Sequence, residues 1–121
     1  MEPYPPRLVI SDLLQRAASL RSEEAWKPLR PGVDIRRLYE SGANGPAAAL
    51  LRYQPGAVVP HHEHLGFEHI LVLDGEQSDE FGSYPAGALI VNAPGTSHRV
   101  ASDRGCVVLI IWERGVRFGP E

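Results

Sequence analysis

Gly56-Ala57-Val58-Val59-Pro60-His61-His62-Glu63-His64-Leu65-Gly66-Phe67-Glu68-His69-Ile70-Leu71-Val72-Leu73-Asp74-Gly75 holds four of the five histidines of a 121-residue chain; the fifth is His98. On an extended strand, side chains two apart share a face, so His62 and His64 point one way and His61 and Glu63 the other. Leu65-Gly66-Phe67 can turn the chain, Gly66 supplying the freedom a tight turn needs. Glu68 then heads the next strand, on one face with Ile70 and Val72, and an antiparallel pairing of the two strands would set it beside His62 and His64. Two imidazoles and a carboxylate converging in an apolar interior suit zinc, iron, manganese, nickel or copper, and a third imidazole would complete the set.

Outward from this stretch the chain is punctuated by twelve glycines and eleven prolines, spread along its length. That rhythm predicts an all-β domain. Apolar-rich segments at Val33 to Tyr39, Ala47 to Tyr53, Ala57 to His64, Glu68 to Leu73, Ala88 to Val91 and Gly105 to Trp112 read as strands, with a turn at Asp74-Gly75. The start differs: Leu13, Leu14, Ala17, Ala18 and Leu20 recur at helical spacing after a candidate N-cap at Ser11, predicting one short helix over 12–21. Ile70 to Leu73, Ala88 to Val91 and Val107 to Trp112 are apolar at successive positions, so both faces of those strands call for cover. The N-terminal helix, a second sheet or an identical subunit would supply it, and a homodimer is the favoured expectation.

Composition narrows the class. The chain is 43% hydrophobic and 22% charged, with a net charge of −3 and scattered basic residues, which suits a folded soluble domain and argues against a nucleic-acid partner. Cys106 is the single cysteine, so no intrachain disulfide forms; beside Val107 and Val108 it reads as a core residue. Met1 to Pro6 has neither a basic n-region nor an apolar stretch, and the apolar run Cys106 to Trp112 is too short to span a bilayer. A cytoplasmic location without membrane attachment is the expectation.

Gly56-x5-His62-x-His64-x3-Glu68-x6-Gly75 resembles the first cupin motif at each constrained position, and Gly87, Gly95 and His98 keep the spacing of the second. Pro94 stands one residue later than the usual proline, and Ser102 stands where asparagine is usual. Within that superfamily, Trp26-x-Pro28-Leu29-x-Pro31-Gly32-Val33, Leu71-Val72-Leu73-Asp74-Gly75-Glu76-x-Ser78-Asp79-Glu80, Tyr84-Pro85-Ala86-Gly87 and Asn92-x-Pro94-Gly95-x-x-His98 are similar to the cupin domain of ChrR-type anti-sigma factors and of acetylacetone-cleaving dioxygenases. The resemblance runs from about Trp26 to Phe118. It implies a cupin-type double-stranded β-helix, a jelly-roll barrel, over 26–121 after an N-terminal extension over 1–25 that carries the short helix. It also implies His62, His64, Glu68 and His98 as ligands of a divalent metal ion. The zinc-binding helical domain of the anti-sigma factors has no counterpart in 1–25, which contain neither cysteine nor histidine.

The remaining candidates read as structural. His61 and His69 have the wrong parity for the cluster and are expected at the surface or an interface. Glu63, Asp79 and Glu80 are expected to be solvated charges, and Tyr53, Phe67, Phe81 and Trp112 core or interface residues before pocket-lining ones. Two functional classes stay open. With iron(II), such a centre would serve a dioxygenase acting on a small oxygen-rich, diketone-like substrate; with zinc or manganese, a Lewis-acid isomerase or lyase. The alternative is a non-catalytic, metal-dependent module that binds or senses a small ligand.

Overall fold

Burial on both faces marks the central strands. In Ala47–Tyr53, Glu68–Asp79 and Cys106–Trp112 the aliphatic side chains fill the space between two sheet faces, and Val72 and Val108 are wholly buried. A computed structural model describes residues 4–119 as one helix and ten strands. These are α1 (Leu13–Leu20), β1 (Lys27–Arg30), β2 (Val33–Glu40), β3 (Ala47–Tyr53), β4 (Ala57–His64), β5 (Glu68–Asp79), β6 (Gly82–Pro85), β7 (Leu89–Asn92), β8 (Ser97–Ser102), β9 (Cys106–Trp112) and β10 (Val116–Phe118). All pairings are antiparallel. The strands run β1-β2-β3-β9-β5-β8-β4-β10, with β6 and β7 also on β5, and the whole curls into a half-barrel of cupin type. No helix among the described residues is long and apolar enough to cross a membrane.

The expected turn at Asp74-Gly75 is instead the middle of β5. The strand pairs with β7 and β9 in its first part and with β6 and β8 at its end, so it belongs to both walls of the barrel. Its register against β9 shifts between Val72 and Asp74. Gly75 follows at φ +79°, where a Cβ would collide with the Gly105 carbonyl oxygen on the neighbouring chain segment. A bulge plus a glycine bends a strand without ending it.

The expected pairing of the two strands flanking Leu65-Gly66-Phe67 is also corrected. β4 pairs with β8 and β10, not with β5. The 65–67 turn crosses between the walls, held by Leu65 N–H to Gly115 O, Phe67 N–H to Glu113 Oε1 and Glu113 N–H to Phe67 O. In β4, Ala57 and Val59 face inward, and so do His62 and His64, although the two pairs differ in parity. A register shift between Val59 and His62 reconciles them: Pro60 and His61 form a bulge, at a proline that has no N–H to give the ladder.

Part of the outer apolar face is covered from within the chain. Ala17 and Leu20 of α1 pack on Leu50, Leu73 and Val107. Trp26 Nε1–H closes the helix end by donating to Leu20 O at 3.0 Å. Arg21 then ties the segment down, with Nε 2.6 Å from Asp74 Oδ2 and Nη2 donating to Gly105 O at 2.7 Å. The helix starts after Asp12, not after a Ser11 cap: Asp12 holds the N-cap position with φ 57°, and its side chain makes no capping bond.

Candidate metal centre

His62 and His64 reach the barrel interior from β4, Glu68 from the first position of β5, and His98 from β8. The β4–β8 register sets His62 directly opposite His98. All four side chains are buried, and one donor atom from each lies within 4.8 Å of the others. Ring centroids are 4.7 Å apart for His62–His98 and for His64–His98, and 5.3 Å for His62–His64, each pair meeting edge to face.

The outer nitrogens fix the tautomers. His62 Nδ1 lies 2.9 Å from Pro60 O, His64 Nδ1 3.0 Å from Thr96 O, and His98 Nδ1 3.1 Å from Asp79 Oδ2. These partners only accept, so each Nδ1 carries the hydrogen and donates it. Each Nε2 is left with a lone pair. His64 Nε2 and His98 Nε2 are buried and make no hydrogen bond. His64 Nε2 is 3.1 Å and His98 Nε2 3.9 Å from Glu68 Oε1, close but not aligned as donor and acceptor. Buried nitrogens without partners are costly, and a cation at their focus satisfies them. The residues therefore fit a divalent metal ion: three neutral imidazoles and one carboxylate, each already oriented from behind.

Glu68 is held by two donors from different strands, Asn92 Nδ2 to Oε1 at 3.1 Å and Trp112 Nε1 to Oε2 at 3.0 Å. Burial alone would raise its pKa, but His64, first among the surrounding imidazoles, outweighs this and holds the carboxyl below its usual range. For His64, burial opposes the charged ring and the Glu68 carboxylate prevails, raising its pKa. For His62 burial wins and lowers it.

Asp79 is a correction to the expectation of a solvated charge. Its side chain is 7% exposed, and besides His98 it accepts from the Tyr84 hydroxyl and from Phe81 N–H, each at 2.9 Å. Glu80 accepts from Arg99 N–H at 2.9 Å. Asp79, Asn92 and Thr96 are supports that the sequence reading did not assign. Asp79 was hidden because β5 runs on to it past an apparent turn, while Asn92 stood in the second motif without a role. His61 and His69 are exposed as expected.

A cavity of about 310 Å³ opens onto the cluster through His62 and Glu68. Its walls are mostly aliphatic, including Val33, Leu51 and Ile110, with Tyr53 and Trp112 among the lining residues. Phe67 and Phe81 take no part and are exposed. Burial pushes the Tyr53 phenol well above its ordinary pKa, so it stays neutral. Burial likewise pushes the Cys106 thiol up to about 12, and Cys106 is a core residue as expected.

Comparison with known proteins agrees with this architecture. The anti-sigma-E factor ChrR of Cereibacter sphaeroides is 33% identical over 96 residues, which are 77% of this chain and 44% of that protein; the chain thus spans less than half of its relative's length. The structure of Rhodobacter sphaeroides SigE in complex with the anti-sigma ChrR is similar with a TM-score of 0.66 and 26% identity, over 89% of this chain and 69% of the other. An acetylacetone dioxygenase from Acinetobacter johnsonii has the same fold, with a TM-score of 0.76 and 14% identity over 100% of this chain and 82% of that one. The ChrR Cupin-like domain family matches residues 15–114, from within α1 to just past β9. With the half-barrel and its buried three-histidine, one-glutamate cluster, that match makes the chain a member of the ChrR cupin-like family.

Proposed function

We propose that His62, His64, Glu68 and His98 bind one divalent metal ion, and that the chain is a metal-dependent dioxygenase acting on a small diketone-like molecule. The observation that carries the reading is the pair of buried, unpartnered Nε2 atoms on His64 and His98 beside Glu68, next to a largely apolar cavity that reaches the cluster through His62 and Glu68. Iron(II), when bound, would supply the chemistry by which a chelated diketone reacts with dioxygen. The chain's own part is to orient. Pro60 O, Thr96 O and Asp79 fix the three rings, while Asn92 and Trp112 fix the carboxylate. The aliphatic wall keeps bulk water from the reacting end.

Elemental analysis of the purified protein beside His64→Ala is the test. About one iron per chain in the wild type, lost in the variant, together with oxygen uptake on adding pentane-2,4-dione, is the expected result. Equal metal content in the two proteins would overturn the ligand assignment. Stoichiometric metal without oxygen uptake favours a second reading, a ligand-sensing module, which draws on the similarity to an anti-sigma factor. A homodimer belongs to the same proposal, since Leu89, Val91 and Ile111 remain exposed around the open edge of β7. Sedimentation at the monomer mass would refute that part.

A further inference from the structure

Resting on the metal-site reading above, we infer that the cavity is built for a diketone-like ligand that also carries a carboxylate, with Arg30 as the residue that holds the carboxylate. Arg30 closes β1, is half-buried, and lines the cavity. Its guanidinium carbon lies 4.3 Å from the centroid of the Phe118 ring, and that ring lies 5.4 Å, centroid to centroid, from His62. One aromatic ring thus separates a cation from the histidine cluster.

The charges along the wall single this residue out. Arg37 also lines the cavity but pairs with Glu40 at 3.3 Å, and Glu68 is surrounded by imidazoles. Among the described residues Arg30 has no carboxylate within salt-bridge distance. A guanidinium facing an aliphatic cavity without a counter-ion is a recognition element for a planar anion, and a carboxylate matches its fork of donors.

Charge balance gives the same ligand class. A divalent ion, Glu68 and Arg30 together leave two positive charges in a poorly solvated space. A diketone bound as its mono-anion compensates one, and a carboxylate at the Arg30 end compensates the other. The cavity volume, about 310 Å³, is at the small end of ligand pockets and suits a chain of a few carbons.

The test compares 4,6-dioxoheptanoate with heptane-2,4-dione, which has the same carbon count and diketone but no carboxylate. Both are titrated calorimetrically into the protein as purified, with its metal content measured in the same samples. The expected result is that the carboxylate binds tighter by about tenfold or more, and that Arg30→Gln brings the two within about twofold while Arg30→Lys keeps most of the preference. Metal per chain stays constant across the three proteins. Equal affinities in the wild type, or a preference that survives in Arg30→Gln, would overturn the inference. Benzoate and benzyl alcohol, run alongside, separate this failure from failure of the metal reading. A protein without metal that still prefers benzoate through Arg30 keeps the carboxylate site and loses the metal. A metal-bound protein with no anion preference keeps the metal and loses this inference.

Discussion

Glu68 and Asp79, the first and last residues of β5, meet the two nitrogens of one imidazole. Glu68 Oε1 lies 3.9 Å from His98 Nε2, and Asp79 Oδ2 lies 3.1 Å from His98 Nδ1. A straight strand of this length would hold its ends roughly 35 Å apart. The bulge after Val72 and the positive φ of Gly75 bend β5 so that both ends reach the same ring.

Removing the carboxylate behind His98 therefore weakens the centre without touching a ligand. Asp79→Ala lowers metal affinity by about 10- to 100-fold, measured by chelator competition, and Asp79→Asn, which keeps an acceptor oxygen, lowers it less. Affinities equal to wild type in both variants would show that Asp79 does not orient the ring.

Trp112 reports on the centre directly, because its indole N–H donates to Glu68. Titration with paramagnetic cobalt(II) or nickel(II) quenches the tryptophan emission, and Trp112→Phe removes most of that quenching, leaving only Trp26, which packs with the helix against the other apolar cluster. Unchanged quenching in the variant would place the metal elsewhere.

The helix is part of the packed structure. Leu20 is 1% exposed, and Leu20→Ala costs about 2–5 kcal/mol in denaturant unfolding. A cost below about 1 kcal/mol would mean that α1 is only loosely docked in solution.

Stability falls in alkali. The Cys106 thiol is held neutral to about 12, while an unfolded cysteine ionises near 9, so between those values the unfolded chain releases a proton the folded chain keeps. Stability is complete below the lower value and declines above it by about 1.4 kcal/mol per pH unit, with Tyr53 adding to the decline above about 10. Cys106→Ala removes the first part of the decline, seen as a smaller wild-type-minus-variant difference at pH 10 than at pH 8. Parallel profiles would refute the account.

The convergence of His62, His64 and Glu68 was legible in strand parity, whereas His98 joined them only through the resemblance to the second cupin motif; the structure brings all four together. The partners of those donors were not legible. Pro60 O and Thr96 O are backbone atoms, which any residue supplies, and Asp79 looks like a surface charge until β5 is known to continue through Gly75. Strands rich in β-branched residues, such as Val107 to Trp112, announced themselves, whereas Ser97–Ser102 did not. Its inward positions are His98, Val100 and Ser102, only one of them aliphatic. The helix was found by its period, but its cap was misplaced because Asp12 starts it through backbone geometry and not through a side-chain bond.

The bulge at Pro60–His61 has a kinetic consequence. Slipping β4 by one residue against β8 would turn His61 and Glu63 inward in place of His62 and His64, and this alternative frame also presents an imidazole and a carboxylate. Metal present while the chain is still choosing its frame can thus capture the wrong one. Refolding in metal-free buffer with metal added afterwards should give a higher yield of competent protein than refolding in excess metal.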